Sequence, residues 1–104
     1  MKSLQELKSE FSVVEHANLY NTNNQSFEFQ ESSSEELSFL EEMIENQATD
    51  SLEYMFLEIN DCGFFIMKGR TNYLLVLKLK RMDNFNKPIL ILKAKATLKS
   101  LEQL

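Results

Sequence analysis

His16, Asp61 and Cys62 are the residues whose types most readily do chemistry, and their surroundings argue against each. His16 is the single histidine and falls inside a stretch, Val13 to Tyr20, that reads as a strand. With no second histidine or cysteine near it, it reads as a structural side chain. Cys62 is the single cysteine, and it has no basic sequence neighbour to favour a thiolate. Asp61 and Cys62 together fall short of the four ligands a zinc site usually needs. The glutamates between positions 35 and 45 lack the glycine and the alternating oxygen spacing of a calcium loop. Met67-Lys68-Gly69-Arg70-Thr71 lacks the first glycine and the Gly-Lys-Ser/Thr core of a phosphate loop. Arg70 has the type of an arginine finger, but at a hairpin tip it reads as a solvated turn residue. No catalytic residue, cofactor or metal is expected, and the chain is not expected to be an enzyme.

Charge distribution says more. The net charge is −5, yet from Ser9 to Asp61 there are 13 acidic residues and no Lys or Arg. From Cys62 to Leu104 there are nine basic and two acidic residues. Opposite charges on neighbouring surfaces of one fold account for this most simply, through weak ion pairs. The sharper reading is an acidic patch that steers a basic partner. Nucleic acid is disfavoured, since phosphate binding needs a basic stripe interleaved with aromatics.

Three runs in the middle of the chain must hold whatever surface does the work. Leu52 to Asn60, Phe64 to Met67 and Tyr73 to Arg81 are rich in aromatic, β-branched and aliphatic residues. The short breaks between them predict an antiparallel meander. Each break holds one of the two glycines, so Gly63 and Gly69 are expected in tight turns at positive φ. Upstream, Leu4, Leu7 and Phe11 mark a short amphipathic helix, and Val13 to Tyr20 marks a strand covered on both faces. Asn21 to Gln25 makes a hairpin, because asparagine tolerates the left-handed conformation. Ser26 to Glu31 alternates as a charged edge strand, with Phe27 and Phe29 both pointing in.

Ser33 with Glu36, or Ser32 with Glu35, makes a capping box for a helix from about Ser34 to Gln47. Leu37, Leu40, Ile44 and Ala48 form its core stripe, while Phe39 and Met43 form a second, roughly 100° or more round the axis. A broad core face explains the second stripe, and so does a helix that meets another copy of itself. Asn84 or Asn86 caps the final helix, from about Lys87 to Gln103, with Pro88 in its first turn. Leu90, Ile91, Ala94, Leu98 and Leu101 form its core side, and Lys93, Lys95 and Lys99 make its surface basic.

At 104 residues with 43% hydrophobic content, residues 1–104 read as one domain. No apolar run approaches the ~20 residues of a membrane span. The start lacks a signal peptide's apolar segment, and Lys2 stands where myristoylation requires glycine. One cysteine allows no internal disulfide, which fits the cytoplasm.

The order helix, strand, strand, helix, three strands, helix resembles the roadblock (dynein light-chain roadblock) family over the whole chain. The features that carry the resemblance are the helix running into a strand (Leu4 to Tyr20), the hairpin leading to a capped acidic helix (Asn21 to Gln47), the Tyr73-Leu74-Leu75-Val76-Leu77 run, and the closing apolar helix. The first hairpin reads Asn-Thr-Asn-Asn-Gln where the family often has Asp-Gly. The resemblance implies an α+β fold, α-β-β-α-β-β-β-α, with an antiparallel five-stranded sheet in the order 2-1-5-4-3. The first and last helices would cover one face and the central helix the other. It also implies homo- or heterodimers joined through their third strands and central helices, and binding to a small Ras-like GTPase as regulator or scaffold, without insertion into a membrane. On this sequence the dimer interface would use Phe39, Met43, Tyr54, Phe56 and Glu58, and partner binding would use Glu35, Glu42, Glu45 and Asn46. A small-molecule-sensing domain of profilin-like or PAS-like topology is the alternative. A longin-like trafficking domain is a third, although that order opens with a strand.

Overall fold

Leu4 and Leu7 are both fully buried, and that stripe fixes the first helix, α1 (Lys2–Glu10), against the sheet. The computed structural model describes residues 2–46, 53–59, 61–69 and 72–102; for Lys2, Ser34, residues 43–46 and Ile59 it describes the backbone alone. After α1 come β1 (Val14–Asn21), β2 (Ser26–Phe29), α2 (Ser34–Asn46), β3 (Tyr54–Ile59), β4 (Cys62–Lys68), β5 (Tyr73–Leu79) and α3 (Lys87–Glu102). The five strands form one sheet in the order β2-β1-β5-β4-β3, and every neighbouring pair is antiparallel. Fold class and strand order are those the roadblock resemblance implies.

Because side chains alternate along a strand, each strand supplies two cores. On one face, α1 and α3 cover Ala17, Leu19, Phe65, Met67, Leu75 and Leu77. On the other, Leu37 and Leu40 of α2 pack on Phe64, Ile66 and Val76. The central strands β5 and β4 are thus buried on both sides, which is why their sequences run apolar rather than alternating.

Two bulges re-aim side chains at the margin. Leu19 pairs with Phe29 but Tyr20 with Phe27, so Glu28 is an extra residue in β2. The extra residue puts Phe27 on the α2 face, against Tyr20 with ring centroids 5.0 Å apart, and Phe29 on the α1/α3 face. The expectation that both phenylalanines share a face therefore fails. A second bulge at Glu15 separates Val14, paired with Leu79, from His16, paired with Lys78.

The turns also differ from expectation. Neither glycine has positive φ; Gln25 (53°), Asp61 (66°) and Asn84 (59°) do. β4 begins at Cys62, just after Asp61, which leaves Gly63 inside β4 opposite Glu58 and Leu79. There the glycine gives room to the Met82 side chain, whose sulfur would lie 2.6 Å from an added Cβ and would have to move aside. In the first hairpin the left-handed residue is Gln25, whereas Asn21 uses its side chain, its Oδ1 accepting from the N–H groups of Asn23 and Asn24.

The helix caps are partly as expected. Ser33 Oγ accepts from Glu36 N at 3.4 Å, but the Glu36 carboxylate turns to Lys78 Nζ at 3.0 Å and leaves the box half made. Asn86 Oδ1 caps α3 by accepting from Ile89 N at 3.1 Å, while Asn84 takes the left-handed position. Gln47, Ala48, Leu52, Asn60, Arg70 and Gln103, named above as element ends, stripe residues or a candidate site, lie outside the described residues.

Candidate functional site

The sheet order leaves two edges, β2 and β3, and only β3 is long and apolar. Tyr54-Met55-Phe56-Leu57-Glu58-Ile59 pairs with β4 residue by residue, with no bulge. Its alternation divides the predicted interface. Met55 and Leu57 turn to the α2 face, where they pack beside Leu37 and Leu40. Phe56 packs on the α1/α3 core, and by alternation Tyr54 and Glu58, which pair with Met67 and Gly63, share that side.

Of the five residues expected at a dimer interface, Phe39 stands on α2 with half its surface exposed (50%). Tyr54 is 42% exposed and Glu58 is exposed, both on the opposite side of the sheet. The structure does not bring these together with Phe39. Phe56 is half-buried in an aromatic group of this same chain: its ring centroid is 4.8 Å from Phe65, 6.3 Å from Tyr54 and 6.4 Å from Phe85. Lys87 Nζ lies 5.6 Å from its centroid, a cation–π arrangement. Met43 lies in α2, but its side chain is outside the described set, as are those of Glu45 and Asn46. Glu35 and Glu42, the other two residues singled out for partner binding, are exposed on α2.

Sequence reading passed over the residues that secure the other side of the sheet. Asn18 is completely buried on β1. Its Oδ1 accepts from Glu31 N (2.7 Å) and Ser32 N (3.0 Å), and its Nδ2 donates to Ser32 Oγ (3.0 Å) and the Val76 carbonyl (3.1 Å). One amide thereby satisfies all its hydrogen-bonding capacity and fastens the β2–α2 connection. Beside it, Glu31 Oε1 accepts from Ala17 N at 2.7 Å and Oε2 pairs with Lys8 Nζ at 2.9 Å. Burial opposes ionisation of Glu31, but the Ala17 N–H and the Lys8 ammonium outweigh it and hold the carboxyl below its ordinary value. A polar residue amid an apolar strand, as in Ala17-Asn18-Leu19-Tyr20, was the available signal.

The residues considered for chemistry do not assemble. His16 is half-buried opposite Lys78, and its Nδ1 has no hydrogen-bond partner among the described residues. Cys62 packs at the edge of the α2 core. Among the described residues, no group of three or more His, Cys, Asp and Glu side chains is placed to hold a metal ion. A groove of about 230 Å3 between α1 and α3, lined by residues such as Ser3, Glu6, Lys93 and Thr97, is open and polar. Among the described residues, no helix is long and apolar enough to cross a membrane.

The same arrangement of strands and helices occurs in the crystal structure of the Roadblock/LC7 domain from Streptomyces avermitillis. The two superpose with a TM-score of 0.66 over 95% of this chain and 94% of that one, at 14% sequence identity. The fold is roadblock-like. No protein-family model matches the chain, and no curated protein matches it in sequence. A roadblock-like fold with 14% identity carries architecture: α1 and α3 on one face, α2 on the other, β2 and β3 at the edges.

Proposed function

We propose that this chain is a single-domain, non-enzymatic scaffold or regulator that works in the cytoplasm. It pairs through β3 with a second roadblock-type chain, and the pair binds a small Ras-like GTPase. The observation that carries the pairing is the β3 edge: six residues, mostly apolar and in regular register, with Phe39 exposed on the helix above. An open edge of this kind invites another strand. Antiparallel pairing of two such edges continues the sheet and brings the two α2 helices side by side. The GTPase partner is what the roadblock resemblance implies. The α1–α3 groove lends no support to a small-molecule sensor, because about 230 Å3 falls below the usual size of a ligand site.

Sedimentation of the wild type and Phe39→Asp in about 0.5 M salt, where charge is screened within a few ångströms, tests the pairing. The wild type should reach twice its 12.2 kDa monomer mass and the variant should not. A variant that dimerises as well as the wild type defeats the interface. For the partner class, the immobilised chain should retain a small GTPase from lysate in one nucleotide state more than the other. Retention of none, with GDP or a GTP analogue, removes that part of the proposal.

A further inference from the structure

We infer that the partner across the β3 edge is a different chain, whose facing helix carries basic side chains around an apolar centre, rather than a second copy of this one. This inference rests on the edge pairing proposed above. Among the described side chains of α2, Phe39 is the exposed apolar one, with Glu35 four positions before it and Glu42 three after. At 3.6 residues per turn the three lie on one side of the helix, so two exposed carboxylates rim the ring. Neither α2 nor β3 contains a Lys or Arg.

Three acids elsewhere in the fold are paired with lysines. Lys8 pairs with Glu31 (2.9 Å), Lys78 with Glu36 (3.0 Å) and Lys93 with Glu10 (3.6 Å). Among the described residues no such ion pair reaches Glu35 or Glu42. Two identical β3 edges pair antiparallel about a two-fold axis perpendicular to the sheet, which keeps the same face upward in both copies. Each α2 then lies beside its copy. Packed helices run about 8–10 Å apart, close to the screening length at physiological salt. A homodimer would set acidic rim against acidic rim, whereas a basic rim would both attract this chain and reject its copy.

A charge-reversed copy serves as the surrogate partner. Glu35→Lys/Glu42→Lys changes only exposed positions, and a melting curve checks that it folds. Equimolar wild type and reversed copy, distinguished by mass, are compared by native mass spectrometry in about 50 mM and about 0.5 M salt. At low salt the mixed dimer should exceed the wild-type dimer by ~10-fold or more, and the preference should shrink at high salt. Introducing Phe39→Asp on the wild-type copy should abolish the mixed dimer. A statistical mixture of the three dimers overturns the inference and leaves edge pairing intact. Mixed dimers indifferent to Phe39→Asp also overturn it, since the attraction then acts elsewhere. No dimer of any composition at either salt overturns both the inference and the pairing.

Discussion

The two edges of the sheet are built in opposite ways. β2 is four residues long, carries a bulge, and alternates exposed Ser26 and Glu28 with half-buried phenylalanines. Where it stops, the Glu31 carboxylate accepts the Ala17 N–H that a further strand residue would have taken. β3 is six residues long, unbulged in its pairing with β4, and reads Tyr-Met-Phe-Leu. Short length, charge and bulges are the devices that stop edge strands from pairing with other chains. This chain applies all three at β2 and leaves β3 regular and apolar. The contrast argues that β3 is kept for a partner, and it can be attacked from either side.

The largest effect is expected from dismantling the closed edge. Asn18→Ala deprives Glu31 N, Ser32 N, Ser32 Oγ and the Val76 carbonyl of a buried partner at once. A buried polar group left unsatisfied costs about 1–3 kcal/mol, and some of these groups will recover a partner by relaxing. A net loss of about 3–5 kcal/mol in urea unfolding is expected, enough to threaten a domain of this size. A loss below about 1 kcal/mol would mean that the β2–α2 connection does not depend on this amide.

Next comes closing the open edge. Tyr54→Lys puts a charge on β3 at an exposed position, the device that blunts edge strands elsewhere. Dimer dissociation, followed by sedimentation in about 0.5 M salt, should become ~10-fold easier or more, while melting temperature moves by only a few degrees. Equal loss of folding and association would show that the Tyr54 contact with Phe65, 6.1 Å between centroids, matters more to the monomer than to the edge.

This difference between the edges was only half legible in the sequence. Periodicity and breaks placed every element, because Leu4 and Leu7, or Leu90, Ala94, Leu98 and Leu101, recur with the helical period and bury together. The apolar strand β3 was legible in the same way, and its place at the edge came from the roadblock resemblance. What stayed hidden depends on contacts between residues far apart in sequence. No local pattern says that Asn18 will meet Ser32 and Val76, or that the Glu28 bulge will send Phe27 and Phe29 to different faces. Phe56 was assigned to a dimer interface by the roadblock resemblance, and its contacts within the chain were not foreseen. Its rings of contact come from Phe65 and Phe85, which only the folded sheet and the loop before α3 bring near. Glycine was taken for the turn residue, but the left-handed position fell one residue before Cys62, on Asp61.

Glu31 gives a smaller, pH-dependent test of the closed edge. Its carboxyl titrates below its ordinary value of about 4.5 in the folded chain. The ionised form therefore stabilises the fold above that value, and the contribution fades as pH falls through the lowered folded value. Glu31→Gln removes the charge but keeps an oxygen that can accept from Ala17 N. The variant should be less stable than the wild type by about 1 kcal/mol near pH 7, with the gap narrowing as pH drops below 4.5. A gap that stays constant from neutral pH into acid would show that the amide packs badly and that ionisation contributes nothing.

The smallest effects belong to the turns that adjoin each edge: Gln25 before β2 and Asp61 after β3. Gln25 and Asp61 both hold positive φ, at 53° and 66°. A left-handed backbone strains most side chains and is better tolerated by Asp than by Gln. Glycine relieves the strain but adds freedom to the unfolded chain, so the two effects partly cancel. Gln25→Gly should therefore stabilise by about 0.5–1 kcal/mol and Asp61→Gly by less, both read from urea midpoints. The two edges give these small gains different local consequences. In a chain kept monomeric by Phe39→Asp, β3 is paired on one side only, so its amides should exchange hydrogen faster than those of β4, and Asp61→Gly should slow them. Should Asp61→Gly instead speed exchange in β3, the Asp61 side chain must itself hold the turn, and the open edge would be better anchored than its position in the sheet implies.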